Sequence, residues 1–427
     1  MEKQRNSFTG SLGFIIAAAA SAVGLGNIWR FPYFVARDGG GLFIVVYVIL
    51  AQTFGYALLT TEVAIGRKTR QSALTAYGVL NKRARGLGLL SCLVPIIILS
   101  YYCAIGGWVV KYLLTFLTGG GESAARPDYF GGFISGTVQP VVMMGVFLLL
   151  TVVVVLGGVD KGIENFSKIV LPVLVLLIIV ISVYSLTLSY TDENGKVRTA
   201  LQGLKLLFIP DLSDFSISNL GIVLMDAMGQ LFYSLSIAMG ILIAYGSYMR
   251  DDTDLTKATK HIDFFDTFVA LLAAIMIVPA VYVFQGKEGM QASGPGLIFV
   301  TLPVVFQQMG AIGTVIGCMF FALVLFAALT SSVSILEAVV SSFTDRFHMK
   351  RTSAILLEGV ICLAMGTVVC LGYNVFMFDI VLPNGAHAQI LDVLDFISNN
   401  LMMPVISIGT CILVGWIMDP RVIIEEM

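Results

Sequence analysis

Gly24-Leu-Gly-Asn-Ile-Trp-Arg-Phe-Pro-Tyr33 interrupts the first long apolar run of this sequence, which begins near Leu12. A glycine inside a helix costs about 1 kcal/mol relative to alanine, so two glycines in three positions favour a break in the helix. A second break is expected five apolar runs later, where the chain reads Ser234-Leu-Ser-Ile-Ala-Met-Gly240. Interrupted helices at matching places in two halves of a chain are typical of an inverted repeat with a site near the midplane of a membrane.

The composition supports a membrane setting. Of the 427 residues, 57% are hydrophobic and 12% are charged, and the mean hydropathy is +0.92. A water-soluble domain of this size does not keep such a balance, so the bilayer is the expected solvent and partner of the chain. The net charge of -2 provides no basic surface, which excludes a nucleic-acid partner.

About ten membrane-spanning helices are expected, because a helix needs roughly 20 mostly apolar residues to cross a bilayer. They lie near residues 12–36, 41–66, 88–117, 138–158, 166–188, 219–247, 263–286, 313–343, 353–373 and 390–418. The loop stretches 201–208 and 297–309 are predicted to be short helices outside the membrane core. Residues 1–427 are thus expected to form one all-α membrane domain, with a first repeat at about 12–188 and a second at about 219–418.

Lysine and arginine are distributed unevenly between alternate loops. Seventeen of them fall on the side of the N-terminus and seven on the other side, while Arg30 lies inside the first span. The positive-inside rule therefore predicts that both termini are cytoplasmic. The first apolar run is long and lacks a small-residue cleavage site, so it is expected to stay in the mature protein.

Cysteine and histidine give no sign of metal or nucleophile chemistry. The six cysteines lie in apolar stretches without a CxxC pair, and the three histidines are isolated from one another. Such cysteines behave as small hydrophobic side chains. Because no oriented nucleophile, metal cluster or phosphate loop is visible, an enzyme is the class least expected, and no organic cofactor is predicted.

The stretch Gly24–Tyr33 resembles the signature of the neurotransmitter:sodium symporter (solute carrier 6-like) family, in its bacterial amino-acid transporter branch. Further matches run along the chain: Asp38-Gly-Gly-Gly41, Tyr101-Tyr102, Lys161-Gly-Ile-Glu-Asn-Phe166, Gly229-Gln-Leu-Phe232, Ser247-Tyr248 and Leu329-Thr-Ser-Ser332. The resemblance covers all ten expected spans. It implies a 5+5 inverted-repeat transporter fold in which helices 1 and 6 are broken.

The resemblance also implies a substrate site. An unwound helix offers free backbone N–H and C=O groups, which satisfy the carboxylate and ammonium of an amino acid without a charged side chain. The residues implied to bind substrate are Ser21, Ala22, Gly24, Gly26, Ile98, Tyr102, Tyr233, Ser234, Ser236, Met239, Ser331 and Ile335. Relatives that carry biogenic amines place an aspartate at position 24, so Gly24 indicates a substrate with its own carboxylate. The uncharged lining favours a neutral hydrophobic or aromatic side chain.

Two sodium ions are implied in the same way, and hard cations prefer oxygen ligands. The first site maps onto Ala22, Asn27 and Ser234 with a residue of the seventh span, and the second maps onto Ala20, Val23, Ala327, Thr330 and Ser331. Taken alone, Thr330-Ser-Ser332 in an apolar helix is more typical of packing or of bonding to the helix backbone. Its register with the motif of the first span favours a ligand role.

The seventh span departs from the family pattern. An asparagine usually serves the first sodium there, whereas this sequence has Asp263-Phe-Phe-Asp266. Animal relatives bind chloride nearby and bacterial relatives substitute a carboxylate. Asp266, with Tyr47, Gln230 and Ser234 as expected neighbours, is interpreted as that replacement or as a sodium ligand, so no chloride requirement is predicted. The alternative interpretation is an acid at a helix end, but an acid inside the membrane without a partner is costly, which favours a functional role.

Two gates are implied as well. They are Arg30 with Asp395 on the outer side, closed by Tyr102 and Tyr233, and Arg5 with Asp345 on the inner side, supported by Tyr248. Phe8 replaces the tryptophan that is common beside the inner gate, so hydrophobic support there is expected to be weaker. Glu62, deep in the second span, is expected to accept free N–H groups at the helix breaks.

The sequence therefore predicts a sodium-coupled symporter that imports neutral, hydrophobic or aromatic L-amino acids by alternating access across a bacterial cytoplasmic (inner) membrane. Two alternatives stay open. One is a sodium symporter for another small carboxylated solute, such as a betaine or a β-amino acid, and the other is an amino-acid sensor that does not transport. The sequence does not specify the oligomeric state.

Overall fold

The computed structural model describes residues 7–191, 195–210, 216–289, 294–382 and 387–427. Their architecture is helical, with ten spans in the expected order. Spans 1 to 5 are Ser11–Ala22 continued by Gly26–Arg37, then Gly41–Thr69, Lys82–Leu117, Gln139–Leu156 and Val159–Leu186. Spans 6 to 10 are Ile217–Ser234 continued by Ile241–Ser247, then Leu255–Gly286, Ala311–Phe347, Arg351–Leu371 and Ile390–Ile417.

Nine of these ten spans are long and apolar enough to cross a bilayer when the described residues are considered. Eight are single helices, and the ninth is span 1, whose two halves meet at an angle of 49°. Span 6 does not pass the same length test because it is divided into two shorter helices at Leu235–Gly240. The fold class expected from the sequence, an all-α membrane transporter fold with broken helices 1 and 6, is confirmed.

Short elements connect the spans. The helices are Ala73–Leu80, Gly121–Ala124, Tyr129–Ile134, Ala200–Phe208, Leu297–Gln308 and Arg421–Ile424. Two of them, Ala200–Phe208 and Leu297–Gln308, are the short helices predicted between spans 5 and 6 and between spans 7 and 8. Two antiparallel hairpins pair Ser189–Thr191 with Val197–Thr199 and Ile380–Val381 with His387–Ala388.

Both ends of the described chain lie on the same side of the helix bundle. The backbone N–H of Phe8 donates to the carbonyl of Tyr248 (3.2 Å), which follows span 6, and Arg67 near the end of span 2 pairs with Glu426 (2.9 Å). We call this the terminal side, and the other the opposite side. These contacts agree with an even number of crossings between the two termini.

The breaks in spans 1 and 6 lie in the interior. In span 1 the helix ends at Ala22, and Val23 takes a non-helical conformation (φ -76°, ψ 89°). In span 6 three residues, Ser236, Ala238 and Gly240, have positive φ values of 56°, 64° and 70°. Only glycine adopts such values without steric cost, so the two other residues need support from their surroundings. Part of that support comes from Glu62, whose carboxylate accepts the backbone N–H of Ala238 (2.8 Å).

The main difference from the expected boundaries concerns span 7. Its helix begins at Leu255, eight residues before the expected start at Asp263. The first two turns contain Lys257, Lys260 and His261, and hydropathy alone does not assign such polar turns to a span. As a result Asp266 lies about 16 Å along the helix from its first residue, since a helix rises 1.5 Å per residue. The interpretation of Asp266 as a helix-end acid is therefore wrong.

Candidate functional site

A closed cavity lies between the two broken helices, span 3 and span 8. Its volume is about 20 Å³, measured as the space open to the centre of a water-sized sphere. Its lining residues are Ser21, Ala22, Gly24, Leu25, Gly26, Ile98, Tyr102, Tyr233, Ser234, Ser236, Met239, Ser331 and Ile335. The structure thus brings together all twelve residues predicted to bind substrate and adds Leu25. No lining residue carries a charged side chain.

Close packing explains the two glycines of span 1. A Cβ atom at Gly24 would collide with the hydroxyl oxygen of Ser331, and one at Gly26 would lie 2.7 Å from the ring of Tyr233. A methyl group at Gly24 would force the Ser331 hydroxyl to turn away, and one at Gly26 would require the ring of Tyr233 to move. The glycines therefore let backbone N–H and C=O groups reach the cavity directly, as expected for a site built from an unwound helix.

Two hydroxyl groups at the cavity have no partner among the described residues. They belong to Ser21 and Tyr102, and both side chains are buried, with exposed fractions of 4% and 2%. Buried hydroxyl groups in proteins are nearly always hydrogen-bonded to protein, water or ligand. Tyr102 lies on the same side of the cavity as Gly24, 3.6 Å from the position of a Cβ atom there. A polar ligand in the cavity would satisfy these groups.

Asp266 is the centre of a buried network next to the cavity. Its carboxylate accepts hydrogen bonds from Asn27 (2.8 Å), Tyr47 (2.9 Å) and Ser234 (2.5 Å). The side-chain oxygen of Asn27 in turn accepts the backbone N–H of Gly24 (3.0 Å). The network links the breaks of spans 1 and 6 to spans 2 and 7, and it collects amide, hydroxyl and carboxylate oxygens in one place. These are the oxygen donors that a hard cation prefers.

Gln230 does not hydrogen-bond to Asp266 in the described structure. Its amide nitrogen donates to the carbonyl of Gly26 (3.0 Å), and its amide oxygen has no partner among the described residues. In this conformation no direct hydrogen bond joins Gln230 to the Asp266 carboxylate, and its expected place beside that carboxylate stays a prediction. Tyr47 and Ser234, the other two expected neighbours, do contact it.

The oxygens predicted for a second sodium site lie where span 1 ends against span 8. The last carbonyl groups of a helix have no partner within the helix. Here the N–H of Gly24 binds Asn27 and leaves the Ala20 carbonyl without that partner. The Ser331 hydroxyl donates to the carbonyl of Ser21 (3.0 Å), so it joins the two spans. The Thr330 hydroxyl instead donates to backbone carbonyls of its own helix, including that of Ala327 (3.0 Å). These oxygens suit sodium in kind, and ligation by them stays a prediction.

The cavity is closed on the terminal side by aromatic packing. The ring of Phe8 is 1% exposed and packs edge-on against Phe14, Tyr245 and Tyr248, with centroids 5.7, 5.5 and 6.3 Å apart. Beyond Phe8 a wide vestibule opens, lined by residues that include Ser341, Asp345 and Arg351. Ser7 and Tyr248 also line this vestibule, so Phe8 lies beside it.

A buried ion pair strengthens the same closure. Glu337 of span 8 receives hydrogen bonds from Arg351 (2.5 Å) and from the hydroxyl of Tyr248 (2.8 Å), and its side chain is fully buried. Arg351 also donates to the carbonyl of Val155 (2.9 Å). This group ties span 6 to spans 4, 8 and 9 at the terminal side. Of the predicted inner gate, Asp345 accepts the backbone N–H of Ser72 (2.7 Å), whereas Arg5 lies outside the described residues.

The opposite side is held differently. Arg30 and Asp395 face the same region, but no ion pair within 4 Å joins these two described residues. Asp395 instead accepts hydrogen bonds from Tyr101 (3.1 Å) and Asn399 (2.5 Å). The guanidinium of Arg30 lies 5.4 Å from the ring centre of Tyr233. The direct ion pair expected for the outer gate is therefore absent in this conformation.

Sequence reasoning missed several residues that the structure brings to the site. Leu25 lies between Gly24 and Gly26, and as an apolar residue in an apolar span it gives no sign of its own that it lines a cavity. Glu337 and Arg351 are 14 positions apart on two helices, and only the turn at His348, with φ of 55°, brings them together. The signal that could have revealed them is a lone acid in an apolar run followed by a basic residue at the start of the next helix.

Comparisons with known proteins agree with this geometry. The sodium:neurotransmitter symporter family model matches residues 5–120 and 134–427. The uncharacterised sodium-dependent transporter YhdH of Bacillus subtilis is 33% identical over 412 residues, which cover 94% of this chain and 86% of that protein. The human sodium- and chloride-dependent GABA transporter 2 is 24% identical over 408 residues, which cover 84% of this chain and 65% of that protein. Among solved structures, MhsT in complex with L-phenylalanine is similar, with a TM-score of 0.85 and 35% identity over 99% of this chain and 92% of that one.

Proposed function

Because this chain belongs to the sodium:neurotransmitter symporter family, we propose that it imports neutral, hydrophobic or aromatic L-amino acids together with sodium and without chloride. The coarser function is that of the family, which is sodium-coupled transport across a membrane. The substrate class, the number of ions and the independence from chloride are the parts that we propose here.

One observation carries the proposal: an uncharged cavity that lies against two broken helices. An amino acid brings its own carboxylate and ammonium, so a charged side chain in the wall would be redundant and would favour acidic or basic substrates instead. The side-chain end of the cavity contains Ile98, Met239 and Ile335, which suit an apolar group. The similar structure of MhsT holds L-phenylalanine, which supports an aromatic amino acid as one substrate.

The backbone of span 1 is the proposed binding surface for the substrate's charged end. The carboxylate would meet N–H groups near Gly24 and Gly26 and the hydroxyl of Tyr102, which otherwise has no partner in the described structure. The ammonium would meet carbonyl groups near Ala22 and Tyr233. Both ends are then satisfied by groups that the helix breaks have released, at no cost in buried side-chain charge.

We propose two sodium ions as co-substrates. The first would lie beside Asn27, Ser234 and the Ala22 carbonyl, next to the substrate carboxylate, and Asp266 either ligates it or supplies negative charge close by. The second would lie between the Ala20 and Val23 carbonyls of span 1 and Ala327, Thr330 and Ser331 of span 8. If the first ion touches the substrate carboxylate, sodium and substrate must raise each other's affinity by the same factor. That reciprocity is the proposed basis of coupling.

Asp266 is the proposed reason that chloride is not needed. Three hydrogen-bond donors, on Asn27, Tyr47 and Ser234, converge on its carboxylate. A chloride ion would need a similar set of donors, so a carboxylate at this point supplies the same negative charge as part of the chain. The relative that is named as chloride-dependent, the human GABA transporter 2, provides the contrast.

Localisation follows from charge and from the position of the termini. Both ends of the described chain lie on the terminal side, and the basic loop residues are concentrated there. We therefore propose that the terminal side is cytoplasmic and that the chain resides in a bacterial inner membrane as a multi-pass protein. On this assignment the Phe8 closure faces the cytoplasm.

Thermal stability tests the substrate class. The detergent-purified protein would be heated with each of the twenty amino acids, once in sodium and once in potassium, because a ligand that binds the folded state raises the apparent melting temperature. We expect stabilisation by leucine, phenylalanine, tryptophan or similar residues in sodium alone. No shift with any amino acid would contradict the proposal and favour another carboxylated solute. Counterflow in vesicles then distinguishes a transporter from a sensor that only binds.

The variant Asp266→Ser tests the role of the carboxylate. Uptake into vesicles would be measured with chloride present and with gluconate in its place. We expect the wild type to be unaffected, and Asp266→Ser to lose about tenfold in gluconate and recover in chloride. Asp263→Ser is the matched control, since Asp263 lies three residues earlier on the same helix and contacts Gln52 instead. Full activity of Asp266→Ser without chloride would remove Asp266 from the anion role.

A further inference from the structure

Glu358 is a buried acid that the proposed transport mechanism does not use. It lies on span 9, seven residues after Arg351, and its side chain is fully buried. Both of its carboxylate oxygens lack a hydrogen-bond partner in the part of the chain that the structure describes. Glu62 and Asp266, by contrast, each accept at least one hydrogen bond. Glu358 thus differs from the acids of the candidate site.

The surroundings of Glu358 offer no compensating charge. Span 9 packs on spans 3, 4 and 8 and, at the end away from Arg351, on the first turns of span 10, which carry Asp392 and Asp395. Span 3 contributes Cys92 and Cys103 to the neighbourhood of Glu358, and Cys362 follows one turn later on span 9. Span 4 has no titratable side chain between Gln139 and Leu156.

The nearest charges on the packed helices are already engaged. On span 8 they are Glu337 and, one turn beyond the nearby Ser342, Asp345. Arg351 is the closest cation on span 9, about 10 Å along the helix from Glu358, and it is bound to Glu337 and to the Val155 carbonyl. The other cations of these helices are Lys82, Arg83, Arg85 and Lys111 on span 3 and Arg346 on span 8. All of them except Lys111 are exposed, and Lys111 lies over the ring of Tyr129, so none of them is paired with the buried Glu358 in the described structure.

A carboxylate in such a place is costly to ionise. Removal of an isolated charge from water into an apolar interior is far more expensive than removal of a neutral group, and acids in membrane spans usually face a partner or water. A protonated carboxyl carries no net charge, so its burial costs much less free energy and needs no cation beside it. The arrangement around Glu358 therefore favours the protonated form in this conformation.

We propose that Glu358 is a proton-binding site within spans 3, 4, 8 and 9, separate from the substrate cavity. It holds a proton in this conformation and releases it when water from the terminal-side vestibule enters between spans 8 and 9. The release is a simple dissociation, in which the O–H bond of the carboxyl breaks, the carboxylate keeps the electron pair and the proton passes to water. The ligand of the site is a proton.

The vestibule is the proposed source of the water that reaches Glu358. Ser341, Asp345 and Arg351 line it at the terminal ends of spans 8 and 9. Ser342, which follows Ser341, is close to Cys92, and Cys92 is close to Glu358. Span 8 also carries Thr330 and Ser331 of the predicted second sodium site. A shift of span 8 against span 9 would thus change water access to Glu358 and the geometry of that site together.

Binding of one proton per transporter makes the equilibrium between the protonated conformation and the hydrated conformation depend on pH. Above the pH at which Glu358 titrates in the hydrated conformation, each further pH unit disfavours the protonated conformation about tenfold. A group that stays ionised, or stays protonated, in every conformation gives no such dependence. The dependence should disappear when the carboxyl is replaced by the neutral amide of the same shape, in Glu358→Gln.

Infrared spectroscopy of the purified wild-type protein tests the site without reference to any substrate. A protonated carboxylic acid shows a carbonyl stretch distinct from that of an ionised carboxylate. We expect the wild type at pH 7.5 to show this absorption, and Glu358→Gln to lose one carboxyl's share of it. Glu122→Gln, the same change at an exposed acid, is the matched control and should leave the absorption unchanged. A difference spectrum without the band would mean that Glu358 is ionised, which overturns the proposal.

The pH profile of sodium-driven phenylalanine uptake is the second readout. Vesicles with an internal pH from 6 to 9 would be compared for the wild type, Glu358→Gln and Glu358→Asp. We expect the wild-type rate to change by up to about tenfold per unit at the alkaline end, Glu358→Gln to be flat there, and Glu358→Asp to keep a pH dependence. Identical profiles for wild type and Glu358→Gln would contradict proton release during transport. Because the infrared test needs no transport, a failure of the proposed substrate class does not affect it.

Discussion

The cavity is closed by different means at its two ends. On the terminal side, Phe8 lies within three aromatic rings, and Glu337 receives hydrogen bonds from Arg351 and Tyr248. On the opposite side, Arg30 and Asp395 do not form an ion pair, and the Arg30 guanidinium lies near the ring of Tyr233. The first closure combines buried aromatic rings with an ion pair on a fully buried Glu337. At the second, the ion pair that joins spans 1 and 6 is Arg37 with Asp226, and both of its side chains are partly exposed.

This difference has an energetic consequence. Truncation of a buried aromatic ring, or removal of one partner of a buried ion pair, costs about 3–5 kcal/mol, while loss of a cation above an aromatic ring costs about 0.5–2 kcal/mol. The conformation described here is therefore held shut mainly at the terminal side. The ion pair between spans 1 and 6 at the opposite side is partly exposed and therefore weaker, so a state open toward the opposite side is expected to be the more accessible neighbour of this conformation.

Loss of the Phe8 ring is expected to have the largest effect. Phe8→Ala removes three ring contacts, and a buried phenylalanine truncated to alanine costs about 3–5 kcal/mol. Water from the vestibule can fill the space, so we expect about 3 kcal/mol, which corresponds to roughly a 100-fold shift toward terminal-side opening. Hydrogen exchange of the backbone amides in Ile241–Ser247 measures this shift.

The matched control for Phe8→Ala is Phe347→Ala. Phe347 also lies at the terminal side, but it is 61% exposed. Its truncation should leave exchange in Ile241–Ser247 unchanged. If Phe8→Ala exchanged at the wild-type rate, the terminal side would not depend on this packing, and the contrast between the two ends would be lost.

Removal of the charge of Glu337 is expected to have the second largest effect. Glu337→Gln leaves the Arg351 guanidinium without its carboxylate, and a broken buried pair costs about 3–5 kcal/mol. Because Arg351 is partly exposed and keeps the Val155 carbonyl, we expect about 2 kcal/mol, or roughly 30-fold in the same exchange measurement.

A double-mutant cycle separates the pair from other effects of Glu337→Gln. Arg351→Met removes the orphaned cation, so the double variant Glu337→Gln/Arg351→Met should recover most of the loss seen in the single variant. Additive effects of the two substitutions would show that Glu337 and Arg351 do not stabilise each other. The terminal closure would then rest on aromatic packing alone.

The spans could be predicted because hydropathy reports directly on the cost of backbone and side chains in lipid. All ten helices were found in order, and the breaks followed from Gly24, Gly26 and Gly240. The start of span 7 at Leu255 was missed, since polar turns continue a helix beyond the apolar segment. Local composition does not contain that information, because the extra turns are stabilised by packing against other spans.

The cavity was predictable for a different reason. The motif around Gly24 fixes the register of span 1, and the similarity along the chain fixes the facing spans, so twelve expected residues meet around one cavity. Their roles as ligands stay predictions. Contacts such as Gln230 with the Gly26 carbonyl, or Glu337 with Arg351, depend on side-chain rotamers and on a single turn, which a one-dimensional pattern does not specify.

The smallest effect is expected from Asp395→Asn at the opposite side. The carboxylate accepts from Tyr101 and Asn399, and the side-chain oxygen of an asparagine can still accept from Tyr101, so only a distant attraction to Arg30 is lost. We expect sodium-driven uptake to change by no more than about threefold, as for weakly coupled charges. Asp395→Ala, which removes the acceptor as well, should be more damaging. If Asp395→Asn lowered uptake tenfold or more, Arg30 and Asp395 would have to pair directly in another conformation of the cycle. The absence of the Arg30–Asp395 ion pair would then be a property of this one conformation. Each end would be closed by a buried ion pair, but in different conformations of the transport cycle.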